Sequence, residues 1–285
     1  MLKLIECPRD AMQGLHTFIP TAGKINYLNQ LLQVGFDTLD CGSFVSPKAI
    51  PQMADTKEVL AGLNLQHTQT KLLVIVANLR GAQQACDEEK VTYIGYPYSL
   101  SETFQQRNTN KSMADAYKDV VEIASLAQKN NKQVVLYFSM GFGNPYGDEW
   151  NAAFVEEWLV KFMNAGINIF SLSDTVGSAN PEDIKSIFSA LINKYPELEI
   201  GAHFHSTTEN QLQKLDAAYN AGCRRFDSAM LGFGGCPMAK DDLTGNIDTV
   251  FLKHFFDTRH METGLNQSEF TKAREMASEI FGQYR

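Results

Sequence analysis

Two histidines, His203 and His205, stand two residues apart in Gly201-Ala202-His203-Phe204-His205, which reads as the end of a short strand. Side chains at i and i+2 of a strand share a face, so the two imidazoles converge while Phe204 points the other way. Neutral imidazoles placed like this form half of a metal site. Alone they fit equally well two hydrogen-bonded histidines at a strand end, so the choice rests on what else the fold brings to them.

Other residues able to do chemistry also follow strand-like runs. Cys7-Pro8-Arg9-Asp10-Ala11-Met12-Gln13 comes after the first. Arg and Asp side chains are costly to bury unless paired or ligated. Asp10 can bind a cation and Arg9 can neutralise an oxyanion, although an exposed ion pair would account for the dipeptide alone. Asp40 ends the second run and leads into Ser43-Phe44-Val45-Ser46-Pro47-Lys48. Asp174 follows the sixth, in Ser173-Asp174-Thr175-Val176-Gly177. After the eighth come Gly232-Phe233-Gly234-Gly235-Cys236-Pro237 and then Gly245-Asn246. Cys236 lies in this flexible loop, which could close over a substrate and deliver a proton. Cys7, Cys41, Cys86 and Cys223 read as inert core thiols.

The elements that must position these residues alternate between short apolar runs and longer amphipathic ones. Strands are expected at Leu2–Glu6, Phe36–Cys41, Lys71–Ala77, Val91–Tyr96, Gln133–Ser139, Ile167–Leu172, Glu199–His203 and Arg225–Ser228. The clearest helices are Ser112–Lys129, Asn151–Ala165, Pro181–Lys194 and Thr208–Ala221. Asn180-Pro181 supplies an N-cap followed by proline at the first helical position. Val34-Gly35, Ala165-Gly166 and Ala221-Gly222 each end a helix just before a strand, where a left-handed glycine is expected. Eight such units predict an α/β fold, a (β/α)8 TIM barrel, in one domain spanning 1–285. The barrel would occupy about 1–258 and a helical tail about 259–285, with its helix at Gln267–Tyr284. Catalytic residues of such barrels gather where strands end. Closure places the eighth strand between the seventh and the first, so Asp10, His203, His205 and Asn246 can meet over one point. By ligand softness that donor set favours Mn²⁺, Fe²⁺ or Zn²⁺ over Mg²⁺.

Composition sets the outer limits. The 285 residues are 44% hydrophobic and 20% charged with a formal net charge of -8, which argues for a globular chain and against a nucleic-acid partner. No apolar run reaches the ~18 residues of a membrane span. The first strand begins at Leu2, and five widely spaced cysteines without a CxxC pair fit a reducing compartment, so a cytoplasmic protein is expected.

Taken together, these motifs resemble the 3-hydroxy-3-methylglutaryl-CoA lyase family over essentially the whole chain. The likeness rests on Pro8-Arg9-Asp10 with Gln13, Ser43-Phe44-Val45-Ser46-Pro47-Lys48 with Pro51-Gln52-Met53, Ser173-Asp174-Thr175-Val176-Gly177, His203-x-His205 and Gly232-Phe233-Gly234-Gly235-Cys236-Pro237. It implies cleavage of a branched 3-hydroxyacyl-CoA to acetyl-CoA and acetoacetate, with Asp10, His203, His205 and Asn246 binding Mg²⁺ or Mn²⁺. It further implies that Arg9 stabilises the enolate, that Cys236 protonates it, and that Tyr137 is an active-site tyrosine. Asp40 and Asp174 are both candidate bases. Gln13, Ser43, Asn78 and Arg107 are expected to meet the acyl-CoA, although for Asn78 and Arg107 a solvated surface role is an equal alternative. A homodimer is implied as well. The chain departs from the family pattern at Asp40, commonly Glu, at Ser206, commonly Asp, and by about one residue in the spacing from Cys236 to Asn246.

Overall fold

The computed structural model describes residues 1–235 and 244–284. Its eight strands are β1 (Lys3–Glu6), β2 (Thr38–Ser43), β3 (Lys71–Ile75), β4 (Val91–Ser99), β5 (Gln133–Ser139), β6 (Ile169–Asp174), β7 (Glu199–Phe204) and β8 (Arg225–Ser228). They pair in parallel in chain order, and β8 returns to β1 to close the barrel, as the alternating pattern predicts. The helices are α1 (Pro8–Gln13), α2 (Thr21–Leu32), α3 (Thr56–Gly62), α4 (Leu79–Cys86), α5 (Glu102–Thr109), α6 (Met113–Lys129), α7 (Ala152–Asn164), α8 (Pro181–Lys194), α9 (Gln211–Asn220), α10 (Thr249–Asp257) and α11 (Gln267–Gln283). No helix among the described residues is long and apolar enough to cross a membrane.

The punctuation behaves as its chemistry requires. Asn180 accepts a hydrogen bond from the Asp183 backbone N–H, with Pro181 at the first helical position. Gly35, Gly166 and Gly222 adopt φ of +95°, +88° and +100°, a region that costs side-chain-bearing residues strain. Three expectations shift. Strand β2 runs to Ser43 across an irregularity between Asp40 and Gly42, so Asp40 sits within the strand. Strand β6 runs to Asp174. The segment after β1 is the short helix α1, started by Pro8 and burying Ala11 and Met12, where the sequence suggested a loop.

Strand parity divides the structure into two cores. Phe204 points outward from β7 and packs edge-on against Phe142 and Phe188, with ring centroids 5.6 and 6.3 Å away. Burying each such ring contributes about 1.5–3 kcal/mol. That packing fixes the rotation of β7 and so turns its odd-numbered residues, His203 included, into the barrel. Inside, β3 to β6 contribute the apolar cluster Leu73, Ile75, Tyr93, Val135, Tyr137 and Ile169. Helix α11 packs outside against α2. Its Phe281 stacks on Phe233 at 4.5 Å and meets Tyr27 edge-on at 6.1 Å, so the tail braces the loop that follows β8.

One outward-facing residue of β1 carries a pH signature. Glu6 is wholly buried, accepts from the Met230 backbone N–H at 2.8 Å, and lies 2.6 Å from Thr249 Oγ1. Burial raises its pKa to about 8, the Thr249 and Met230 hydrogen bonds only partly opposing it. A carboxyl whose folded pKa lies above its unfolded value stabilises fully below about 4.5, and that contribution is lost as pH rises toward about 8. Gln keeps both hydrogen bonds without the charge. Urea unfolding of Glu6→Gln should therefore show a flatter decline in stability between pH 5 and 8, with the variant ahead by about 1–3 kcal/mol at pH 8. Parallel wild-type and variant curves would contradict this protonation state.

Candidate active site

The site lies at the C-terminal mouth of the barrel, in a cavity of about 220 Å³ whose lining includes Arg9, Asp10, Gln13, Tyr137, His203 and His205. Helix α1 turns the chain straight back over the end of β1, which puts buried Arg9 and Asp10 beside half-buried Gln13. Ligand atoms of Asp10, His203 and His205 all lie within 4.8 Å of one another.

Each of these residues is held from behind. His205 Nδ1 lies 2.8 Å from the Thr175 carbonyl oxygen, an acceptor only, so Nδ1 carries the hydrogen and Nε2 is left bare. That Nε2 is buried without a hydrogen-bond partner among the described residues. Burial and the neighbouring His203 lower the His205 pKa, so its ring stays neutral at neutral pH. His203 Nδ1 lies 3.2 Å from Asp227 Oδ2, and its ring meets Tyr137 edge-on at 5.5 Å. Burial pushes His203 down, but Asp227 and Asp10 outweigh it and raise its pKa. Burial likewise pushes Asp10 up, and Arg9, both histidines and Asn246 bring it below the usual carboxylate range. One carboxylate and two imidazoles, one with an orphaned buried nitrogen, fit a divalent cation.

Arg9 is the other organising group. Its Nε and Nη2 donate to Asp40, at 3.0 and 2.5 Å to Oδ2. Its Nη1 donates to Asp10 Oδ1 and to Gln13 Oε1, both at 2.9 Å. A guanidinium has five N–H groups. Among the described residues these bonds occupy four and leave one hydrogen on Nη2, and Arg9 lines the cavity. Burial lifts the Asp40 carboxyl above its usual range while Arg9 pulls against it.

The remaining sequence candidates divide. Asn246 is buried beside Asp10, but its Nδ2 donates to Asp10 Oδ2 at 2.6 Å and to the Phe233 carbonyl at 2.9 Å. Its amide nitrogen therefore faces Asp10, and a ligand role needs the amide turned over. Gly234, at φ +102°, makes this approach possible, since a Cβ there would lie 2.5 Å from Asn246 Nδ2. Tyr137 lines the cavity, and its buried hydroxyl has no hydrogen-bond partner among the described residues. Ser43 is buried under the mouth, with its hydroxyl donating to the Ile75 carbonyl.

Asp174 is not brought to the site. Ser171 and Ser173 take the inward parity of β6, so the Asp174 carboxylate lies on the outer face. There it accepts from the Ser178 and Ala179 backbone and from Lys214 Nζ at 2.6 Å. Asn78 is exposed and caps α4 by accepting from the Gly81 N–H. Arg107 is exposed over the Tyr146 ring, whereas its neighbour Asn108 lines the cavity. Cys236 falls outside the described residues. The other four cysteines are buried and free, and Cys7 lies with His203 and Asp227 in a second group of metal-type ligands.

Sequence reasoning overlooked Thr175, which orients His205, and Asp227, which faces His203. A charged residue at an inward position of a fully buried strand was the available signal for Asp227.

The HMGL-like family model matches residues 3–277. The chain belongs to the HMGL-like family. It is 30% identical to the hydroxymethylglutaryl-CoA lyase of Bacillus subtilis, over 97% of this chain and 91% of that protein. It is also 30% identical to the 3-hydroxy-3-isohexenylglutaryl-CoA/hydroxymethylglutaryl-CoA lyase of Pseudomonas aeruginosa, over 99% and 93%. Among solved structures, an HMG-CoA lyase of Acinetobacter baumannii in complex with coenzyme A and 3-methylmalate superposes with a TM-score of 0.91 at 32% identity, covering 99% of this chain and 92% of that one. The chain is thus an HMG-CoA lyase-like enzyme whose buried Asp and His residues form a candidate site for a divalent metal.

The geometry gives His205 the place of a ligand in that candidate site. Isothermal titration of His205→Ala with Mn²⁺ should show affinity at least about 100-fold below wild type, with the far-UV spectrum unchanged. Unaltered affinity would move the metal elsewhere.

Proposed function

We propose that this HMGL-like lyase cleaves 3-hydroxy-3-methylglutaryl-CoA to acetyl-CoA and acetoacetate. The observation that carries the reading is the Arg9 guanidinium, locked by Asp40, Asp10 and Gln13 on the wall of the same cavity that Asp10, His203 and His205 line. The C2–C3 bond breaks as the C3 hydroxyl loses its proton and becomes a ketone. The electron pair passes to C2 and the thioester oxygen as an enolate, and a proton delivered to C2 completes acetyl-CoA.

Asp10, His203 and His205 would hold a divalent cation, Mg²⁺ or Mn²⁺ by family resemblance, and that cation would acidify the C3 hydroxyl and fix its geometry. Arg9 meets the negative charge as it forms on the thioester oxygen. Asp40, Asp10 and Gln13 have already oriented the guanidinium, so no reorganisation is needed during the reaction. The apolar walls from Val45, Ile50, Ile75 and Phe104 exclude water from the enolate. Tyr137 forms part of the wall of the same space. Cys236 is proposed as the proton donor to C2 on the family motif alone. Of the two candidate bases, Asp174 is spent on Lys214 and the backbone, and Asp40 is wholly buried with both oxygens on Arg9, so neither is given that role here.

The apolar wall also favours a second reading, a 3-hydroxyacyl-CoA with a branch larger than methyl, such as the isohexenyl substrate named for the Pseudomonas aeruginosa relative. Comparing kcat/KM for the methyl and longer-branched thioesters separates the two.

Acetoacetate release from the methyl substrate should require added Mn²⁺ or Mg²⁺, and no C2–C3 cleavage of either thioester with metal present would overturn the lyase assignment. Arg9→Met should keep Mn²⁺ affinity within a few-fold while kcat falls about 10²–10³-fold. Lost metal binding with normal turnover would contradict the role given to Arg9. Cys236→Ser should bind substrate normally and turn over at least about 10²-fold more slowly, and wild-type turnover would remove it as the acid.

A further inference from the structure

One sector of the barrel interior is charged. Lys3 on β1, Glu199 on β7, and Arg225 and Asp227 on β8 all take inward parity and stack from the N-terminal mouth toward the active site. Lys3 Nζ pairs with Glu199 Oε2 at 2.5 Å, and Arg225 Nη1 pairs with Glu199 Oε1 at 3.2 Å. Arg225 Nη2 faces Asp227 Oδ1 at 3.9 Å, and Asp227 Oδ2 reaches His203 Nδ1 at 3.2 Å. The side chains at the far end keep some contact with solvent, 29% for Lys3 and 26% for Glu199, whereas Asp227 has none.

The barrel wall is shaped around this ladder. Gly201 holds the inward position of β7 beside Arg225, and a Cβ there would lie 2.6 Å from Arg225 Cδ. No side chain other than hydrogen fits while Arg225 lies where it does. Ser171 Oγ donates to Asp227 Oδ2 at 3.2 Å, a second constraint on the same carboxylate oxygen.

The geometry points to Asp227, held by Ser171 and facing the Arg225 charge across 3.9 Å, as the positioning residue that fixes the ring of His203 with its hydrogen on Nδ1 and Nε2 bare toward the metal centre. This deepens the proposed function and rests on its metal-site reading. A carboxylate oxygen only accepts, so His203 Nδ1 must be the donor, just as Thr175 makes Nδ1 of His205 the donor. The two imidazoles are therefore preset in the same tautomer by two unrelated partners, a carboxylate and a backbone carbonyl. Groups behind metal-ligating histidines typically change metal affinity 10–100-fold when removed. Arg225 supplies the opposite charge that a wholly buried carboxylate requires. Asp227 touches neither substrate nor reacting atoms and acts only through His203.

The test is Mn²⁺ binding at fixed pH, followed by electron paramagnetic resonance of the free ion, which needs no turnover. Asp227→Asn should fold with an unchanged far-UV spectrum and bind Mn²⁺ about 10–100-fold more weakly than wild type. A purely structural residue would lower thermal stability and leave the affinity of the folded protein alone, so affinity within twofold of wild type overturns the inference. Should the variant not fold, long-range ¹H–¹⁵N correlation on the wild-type protein at pH 9 decides. A His203 ring with Nδ1 protonated and Nε2 bare supports the inference, and the opposite tautomer overturns it. Wild-type protein that binds no Mn²⁺ would remove the metal-site reading itself, and this inference with it.

Discussion

Burying the Arg9 guanidinium takes a cation and two carboxylates, Asp10 and Asp40, out of water within a few ångströms of one another. Such a group persists only when nearly every donor and acceptor is matched, because desolvating each charge costs several kcal/mol. The match here is close: Asp40 takes two sides of the fork, and Asp10 and Gln13 take the third. It has two consequences. Arg9 cannot swing away from the cavity, and Asp10 remains a carboxylate beside the two histidines. Both are conditions for the chemistry, so the enzyme's reactive geometry and the folding of α1 onto the end of β1 depend on the same set of hydrogen bonds.

The barrel interior repeats this division of labour on a larger scale. Strands β3 to β6 fill their share with Leu, Ile, Val and Tyr, whose packing contributes stability without polar cost. Strands β7, β8 and β1 carry charge from the N-terminal mouth up to His203. A charged sector in a barrel core contributes little net stability compared with apolar packing. Its value lies in direction, since it ends on the ring whose orientation the metal centre needs. Breaking one member should therefore disturb function before fold wherever the remaining partners can still pair.

Much of this was legible in the sequence. Period-two parity placed His203 and His205 on one face, and barrel closure placed Asp10 and Asn246 beside them. Helix-ending glycines marked the repeat of the βα unit. What failed to show were the features that depend on register and on strand length. Asp174 looked like a loop carboxylate because the strand seemed to stop at Leu172. With β6 extended by two residues, its parity turns Asp174 outward to Lys214. Asp227 was passed over because its partner lies on a neighbouring strand, and only the pairing of His203 with Asp227 in β7 and β8 reveals it. Asn246 does lie beside Asp10, yet which atom of its amide faces Asp10 is set by the Phe233 carbonyl, which no pattern in the chain specifies.

The central claim is that one divalent cation sits between Asp10 and the Nε2 atoms of His203 and His205. Anomalous diffraction from crystals grown with Mn²⁺ tests it most directly. The account predicts a single strong peak within about 2.3 Å of an Asp10 carboxylate oxygen and both Nε2 atoms. A peak instead on the Nδ1 side of His203, between Cys7 and Asp227, or no peak at Asp10 at all, would contradict it.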